Sequence, residues 1–278
     1  MKKTAVFILA LCLLCGCGST AAETPPEAAA TPAVTEPTAP PVPAVTAAPT
    51  PTPGPTPKVL ETEGTKELLR YDDPESGDYL DYWLTVPEGA VEGMPLLVFL
   101  HGDGNRAMPE TLENNPLALA VEELYGREAP FILLMPNTRL WSWTAGSIPQ
   151  TLLGLIDKVA SECAVDTSRV IIAGHSRGAI GTWYYISAYP ERFSAAVPIS
   201  CGCDEALDYE AISAVPVWGF SGNIGQDGTH YLPAMNSIAA NINAAGGSAR
   251  IDVLYGCDHA AAEAAVWTKE VFEWLLSQ

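Results

Sequence analysis

The sequence predicts an α/β domain over residues 58–278: a mostly parallel central sheet with helices on both faces. Three observations predict it. Apolar, β-rich runs recur at Tyr79–Val86, Leu96–Leu100, Phe131–Met135, Val170–Ala173, Ala195–Ile199, Val215–Phe220 and Ile251–Tyr255. Stretches of helical periodicity separate most of them, the alternation expected of parallel strands joined by helices. Most of the runs are continuously apolar, which marks strands covered on both faces.

The chain begins differently. Met1-Lys2-Lys3 is basic, and the apolar run Ala5–Leu14 is too short to span a bilayer as a mature helix. With Leu14-Cys15-Gly16-Cys17 it resembles a bacterial lipobox, which implies a signal peptide over residues 1–16, cleavage before Cys17 and a lipid on the Cys17 thiol. An ordinary secretory signal is the alternative. Ser19–Pro57 consists almost wholly of Thr, Ala, Pro, Val and Glu, without an aromatic, Lys or Arg. Such a composition buries too little apolar surface to offset chain entropy. Its prolines favour polyproline II, so residues 17–57 read as a lipidated tether reaching on the order of 100 Å at about 3.1 Å per residue. The expected location is the extracellular face of a bacterial membrane, to which the N-terminal lipid is the link.

Tyr79–Val86 alternates apolar and polar residues and is expected to be an antiparallel edge strand. Pro149–Cys163 places Leu152, Leu153, Ile156, Val159, Ala160 and Cys163 on one helical face, with Pro149 suited to the first turn. Gly178–Tyr189, Leu232–Ala245 and Ala262–Leu276 are the other helical stretches.

The most informative segment is Asp166–Tyr185. Within it, Gly174-His175-Ser176-Arg177-Gly178 fits G-x-S-x-G, led in by the run Val170–Ala173 and led out by the helical stretch. That is the strand–turn–helix context of a nucleophile elbow. A Cβ at either glycine would collide with the neighbouring strand or helix. Ser176 would stand exposed at the C-terminal edge of the sheet, and Arg177 would offer a backbone N–H at a helix N-terminus. After Leu96–Leu100 comes His101-Gly102-Asp103-Gly104, where the N–H of Asp103 pairs with that of Arg177 as an oxyanion hole. His101 reads as a structural histidine bonding this loop.

His259 follows the last strand, in Gly256-Cys257-Asp258-His259, where the architecture needs a general base. Of the other histidines, His175 is expected to pack beneath the elbow and His230 lies in a polar loop. The acid is expected after Val215–Phe220, where Asp227 is the loop's only carboxylate; Asp204 and Asp258 are the alternatives. Trp141 and Trp143 follow a strand end and would line an acyl or aromatic pocket, or else pack in the core with Trp183.

The formal net charge of −19 argues against a nucleic-acid partner and against charge-driven binding to anionic lipid. Cys163, Cys201, Cys203 and Cys257 are open to disulfides after export; Cys203 with Cys257 would link two loops at the catalytic edge, and free thiols fit equally. Cys201-Gly-Cys203 lacks the spacing of a zinc site, so neither a metal nor another cofactor is expected.

Several segments together resemble the α/β-hydrolases, in the secreted esterase group that includes feruloyl esterases and polyhydroxybutyrate-depolymerase-like proteins. They are Leu96–Gly104, Pro136–Trp143, Asp166–Trp183, Tyr189–Ser200, Val215–Gly222 and the final histidine loop. Arg177 and Ala179 stand where the group often has Met and Gly, Ser221 stands where it often has a histidine, and Asp227 sits two residues later than its usual G-x-x-D acid. The resemblance implies an α/β-hydrolase fold and a serine esterase acting through an acyl-enzyme, with Ser176, His259 and Asp227 as its triad. The tether points to an ester substrate outside the cell, a small molecule or one linked to a polysaccharide. Two other readings use the same fold: a serine peptidase of the prolyl-oligopeptidase type, and a surface binding protein without catalysis.

Overall fold

Residues 64–203 and 206–278 are described by a computed structural model of the chain. Cys17, the signal-like segment, the tether and the alternative acid Asp204 lie outside these residues. In chain order the elements are β1 (Thr65–Asp72), β2 (Tyr79–Val86), β3 (Leu96–Leu100), α1 (Pro116–Tyr125), β4 (Ile132–Asn137), α2 (Ile148–Glu162), β5 (Val170–His175) and α3 (Arg177–Ala188). They continue as β6 (Ala195–Ile199), α4 (Tyr209–Ile212), β7 (Val217–Gly222), α5 (Leu232–Ala244), β8 (Ala249–Leu254), α6 (His259–Val266) and α7 (Lys269–Leu276).

The strands form an eight-stranded sheet in the order β1-β2-β4-β3-β5-β6-β7-β8. From β4 to β8 every pairing is parallel, while β2 runs antiparallel to both β1 and β4. Tyr79–Val86 is therefore antiparallel, as its alternation predicts, but it is not the edge. β1 covers it. β1 escapes sequence detection because its residues, TKELLRYD, are largely exposed and carry no apolar alternation.

The continuous apolar strands divide their side chains between two cores. In β3, Leu96, Val98 and Leu100 face the cluster built with α2, α3 and α5, whereas Leu97 and Phe99 face the one built with α1, α6 and α7. With a side-chain period of two, only a run that is apolar at every position can fill both layers. The stretch Ala262–Leu276 is not one helix as expected. The chain breaks at Trp267, whose ring is drawn into the second core edge-on to Phe99 and stacked on Phe272. Helix α1 begins at Asn115, whose side-chain oxygen accepts from the Leu117 N–H, with Pro116 in the first turn.

The sheet order places the site. The chain moves outward from β3 to β4, then crosses back to β5 on the other side of β3. Loops leaving β3 and β5 therefore diverge at their C-terminal ends and leave a crevice, where ligands bind in open parallel sheets.

Candidate active site

Ser176 connects β5 to α3 with φ 56° and ψ −117°, a strained conformation for a residue with a Cβ. Its own N–H is anchored to the Ile199 carbonyl at the end of β6, 2.9 Å away. The two flanking glycines make the turn possible. A Cβ on Gly178 would fall 1.8 Å from the Leu100 carbonyl oxygen, and one on Gly174 would fall 2.3 Å from the Gly178 oxygen. No side chain fits at either position.

His259 is the first residue of α6. The helix starts there because Asp258 caps it, accepting from the Ala261 N–H at 3.0 Å. Asp258 is thus occupied as a helix cap. His259 Nε2 lies 2.9 Å from Ser176 Oγ, and its Nδ1 lies 2.8 Å from Asp227 Oδ1. Asp227 is fully buried. It opens a single π-helical turn, Asp227–Tyr231, which returns the chain toward the end of β7. Its other oxygen, Oδ2, accepts from the Gly222 N–H at 3.0 Å, from the Ser221 hydroxyl at 3.4 Å and from the Ser200 hydroxyl in a short hydrogen bond. Burial alone would raise the carboxyl above its ordinary range, but the bonds from His259, Ser200 and Gly222 outweigh burial and hold it below. Oδ2 is saturated by donors, which leaves Oδ1 for the imidazole.

The loop after β3 passes against the serine. A Cβ on Gly102 would lie 3.2 Å from Ser176 Cβ, so the backbone leading into Asp103 borders the Ser176 side chain. Neither the Asp103 N–H nor the Arg177 N–H takes part in a backbone hydrogen bond among the described residues. Each opens a helical segment, where N–H groups lack an intrahelical acceptor.

His101 holds this loop from below. The Thr138 N–H donates to its Nε2 at 3.1 Å, so Nδ1 carries the hydrogen and donates to the Gly102 carbonyl at 2.6 Å. Burial pushes its pKa down to about 4 from 6.5, so the ring stays neutral near pH 7. The unfolded chain takes up this proton first as pH falls. Stability from His101 is thus complete above about pH 6.5 and declines by about 3 kcal/mol as pH drops toward 4. An NMR titration should find the His101 ring neutral at pH 5; a midpoint near 6.5 would contradict this account.

Trp143 is 2% exposed; it donates to the His101 carbonyl and packs edge-on to the His101 ring. It holds up the loop and, almost wholly covered, forms part of the floor of a shallow depression. Trp141 is 57% exposed, at the rim of the same depression, which is lined also by Gly102, Asp103, Arg106 and Arg177. Trp183 lies in the core. His230 is exposed, with its ring edge-on to Tyr231.

Three polar residues join the site that the sequence does not mark. Ser200, in a positive-φ turn at the end of β6, is one. Glu263 and Asn115 are the others. Glu263 Oε2 lies 3.0 Å from His175 Nδ1, Oε1 accepts from Asn115 Nδ2 at 2.7 Å, and His175 Nε2 reaches the His259 carbonyl at 2.9 Å. Burial would raise the Glu263 carboxyl, but His175 and Asn115 hold it below its usual range. Glu263 is four residues beyond His259, hence on the same face of α6, and that spacing is the signal that could have found it. Among the described residues no disulfide links Cys163, Cys201, Cys203 and Cys257.

Solved structures share this architecture. A thermostable esterase superposes with a TM-score of 0.68 at 26% identity over 78% of this chain and 63% of its own. A serine-to-alanine variant of the feruloyl esterase module from Clostridium thermocellum, complexed with sinapinate, gives 0.60 at 15% identity, covering 76% of this chain and 88% of its own. The chain has the α/β-hydrolase fold. An S-formylglutathione hydrolase from Agrobacterium tumefaciens shares the fold at a TM-score of 0.59 and 14% identity, over 80% of this chain and 98% of its own. No protein-family model matches the chain. An uncharacterized secreted protein of Arthroderma benhamiae is 28% identical over 117 residues, 38% of this chain. The chain spans only 12% of that relative's length and 63% of the thermostable esterase's. In this α/β-hydrolase fold a hydroxyl, an imidazole and a buried carboxylate stand in one hydrogen-bonded line beside two open backbone N–H groups. Such an arrangement can move a proton off a hydroxyl while bracing negative charge on a neighbouring oxygen.

Proposed function

We propose that the protein is a serine esterase. The observation that carries the reading is the unbroken line from Ser176 Oγ through the His259 ring to the buried Asp227 carboxylate, with the serine held in a positive-φ elbow. In this mechanism Ser176 Oγ attacks the ester carbonyl as His259 Nε2 removes its proton. Asp227 keeps the hydrogen on Nδ1, so that Nε2 is free to accept, and it stabilises the imidazolium that forms. The N–H groups of Asp103 and Arg177 brace the oxyanion, each contributing about 3 kcal/mol to the transition state. His259 returns the proton to the leaving alcohol, giving an acyl-enzyme, and water then repeats the sequence to release the acid. The likeness to a thermostable esterase supports this reaction class. The Pro-rich composition of residues 17–57, read as a tether from sequence, supports an extracellular, polymer-linked ester as the natural substrate.

The test is a panel of acetyl, butyryl, octanoyl and feruloyl esters, each beside its matched amide, with intact-mass detection of an acyl adduct. Ester turnover without amide turnover is expected. Amide turnover at comparable rates would move the reading to a peptidase. No turnover and no adduct in a folded sample would sink it.

A further inference from the structure

Resting on the esterase reading, we propose that the depression beside Ser176 is an anion subsite that selects esters carrying a carboxylate near the scissile bond, held by Arg106 and Arg177. Both guanidiniums lie over the ring of the exposed Trp141, at 3.7 Å and 5.3 Å from its centroid. Their hydrogen bonding is far from complete. Arg106 uses only Nε, donating to Asp103 Oδ1 at 3.2 Å; its two terminal nitrogens have no partner among the described residues. Arg177 donates one terminal nitrogen to the Trp141 carbonyl at 3.0 Å, and its Nε stands 3.7 Å from the same Asp103 oxygen. Its other terminal nitrogen is open among the described residues.

Asp103 is the only carboxylate lining the depression, so two guanidiniums face one negative charge and a local positive surplus remains. That surplus stands out in a chain of formal net charge −19, whose overall field disfavours anions. A guanidinium over an aromatic face keeps its N–H groups available to a carboxylate, which it can take through paired donors. Gly102 belongs to both this depression and the wall of the nucleophile, so the anion would lie within a few bonds of the reacting carbonyl. An acidic acyl group and a uronate on the alcohol side present the same chemistry, and the assay separates them.

Two matched ester pairs decide between charge and shape. On the alcohol side, 4-carboxyphenyl acetate is compared with 4-carbamoylphenyl acetate. On the acyl side, monoethyl terephthalate is compared with ethyl 4-carbamoylbenzoate. The parent is expected to prefer the anion of at least one pair in kcat/KM. Arg106→Gln should lower that preference about tenfold, read as the anion-to-neutral ratio so that any effect common to both partners cancels, and added salt should erode it because Arg106 is partly exposed. Terephthalate should also bind to the Ser176→Ala protein more tightly than terephthalamide by calorimetry. Anion-to-neutral ratios that are the same in parent and Arg106→Gln on both pairs would overturn the subsite. If the parent turns over no ester at all, the esterase reading fails, and the calorimetric comparison alone upholds or overturns the anion site.

Discussion

Ser176→Ala is expected to lower kcat for ester hydrolysis by about 10,000-fold or more, with the fold intact. The substitution removes the Ser176 hydroxyl oxygen and its 2.9 Å hydrogen bond to His259, and nothing else. Alanine keeps the Cβ, so the strained φ of 56° and the packing of the elbow persist. Thermal unfolding should therefore change little while turnover vanishes. The residual rate would report what the oxyanion donors and substrate positioning contribute without a nucleophile. An intact-mass experiment with an organophosphonate should show one adduct on the parent and none on the variant. Labelling that survives in Ser176→Ala would place the nucleophile elsewhere.

The second large effect is expected of Asp227→Asn, a fall in kcat of about 10,000-fold at neutral pH. An amide NH2 facing His259 Nδ1 would place the imidazole hydrogen on Nε2, leaving that nitrogen unable to take the serine proton. The variant should also be less stable, because Oδ2 accepts from Gly222, Ser221 and Ser200, and a neutral amide oxygen in its place is a weaker acceptor for these buried donors than a carboxylate. Measuring kcat beside a urea titration separates the two consequences. Near-parental activity in a folded Asp227→Asn protein would remove the aspartate from the mechanism.

Much of this was legible from residue order, and the reasons differ by element. Strands β3 to β7 announce themselves because a strand buried on both faces must be apolar throughout. The elbow is legible because only glycine fits beside Leu100 and Thr182. β1 is illegible because an exposed edge strand needs no apolar pattern; its pairing with β2 is carried by backbone bonds and an Arg70–Asp81 ion pair across the register. The displaced position of Asp227 relative to the esterase pattern is accommodated in residues 223–226, between β7 and the π-helical turn that Asp227 opens, and the Gly222 N–H still holds the carboxylate at the end of β7. Ser200, Asn115 and Glu263 come from three segments far apart in the chain, and no local spacing links all three. The split in roles between Trp141 and Trp143 depends on which ring the His101 loop covers, and that is a matter of tertiary packing.

The contact between His175 and Glu263 also constrains how this protein can change. Both ring nitrogens of His175 face oxygen: one a carbonyl, which only accepts, the other a carboxylate. The placement of the ring therefore depends on both partners at once. Replacing His175 by itself would leave a carboxylate that is 13% exposed with only its bond from Asn115 among the described residues; replacing Glu263 by itself would leave a buried imidazole nitrogen without its carboxylate partner. Either single step is disfavoured where the double step to two apolar groups need not be. The two positions therefore form a unit of inheritance, and variation at one should be accompanied by variation at the other.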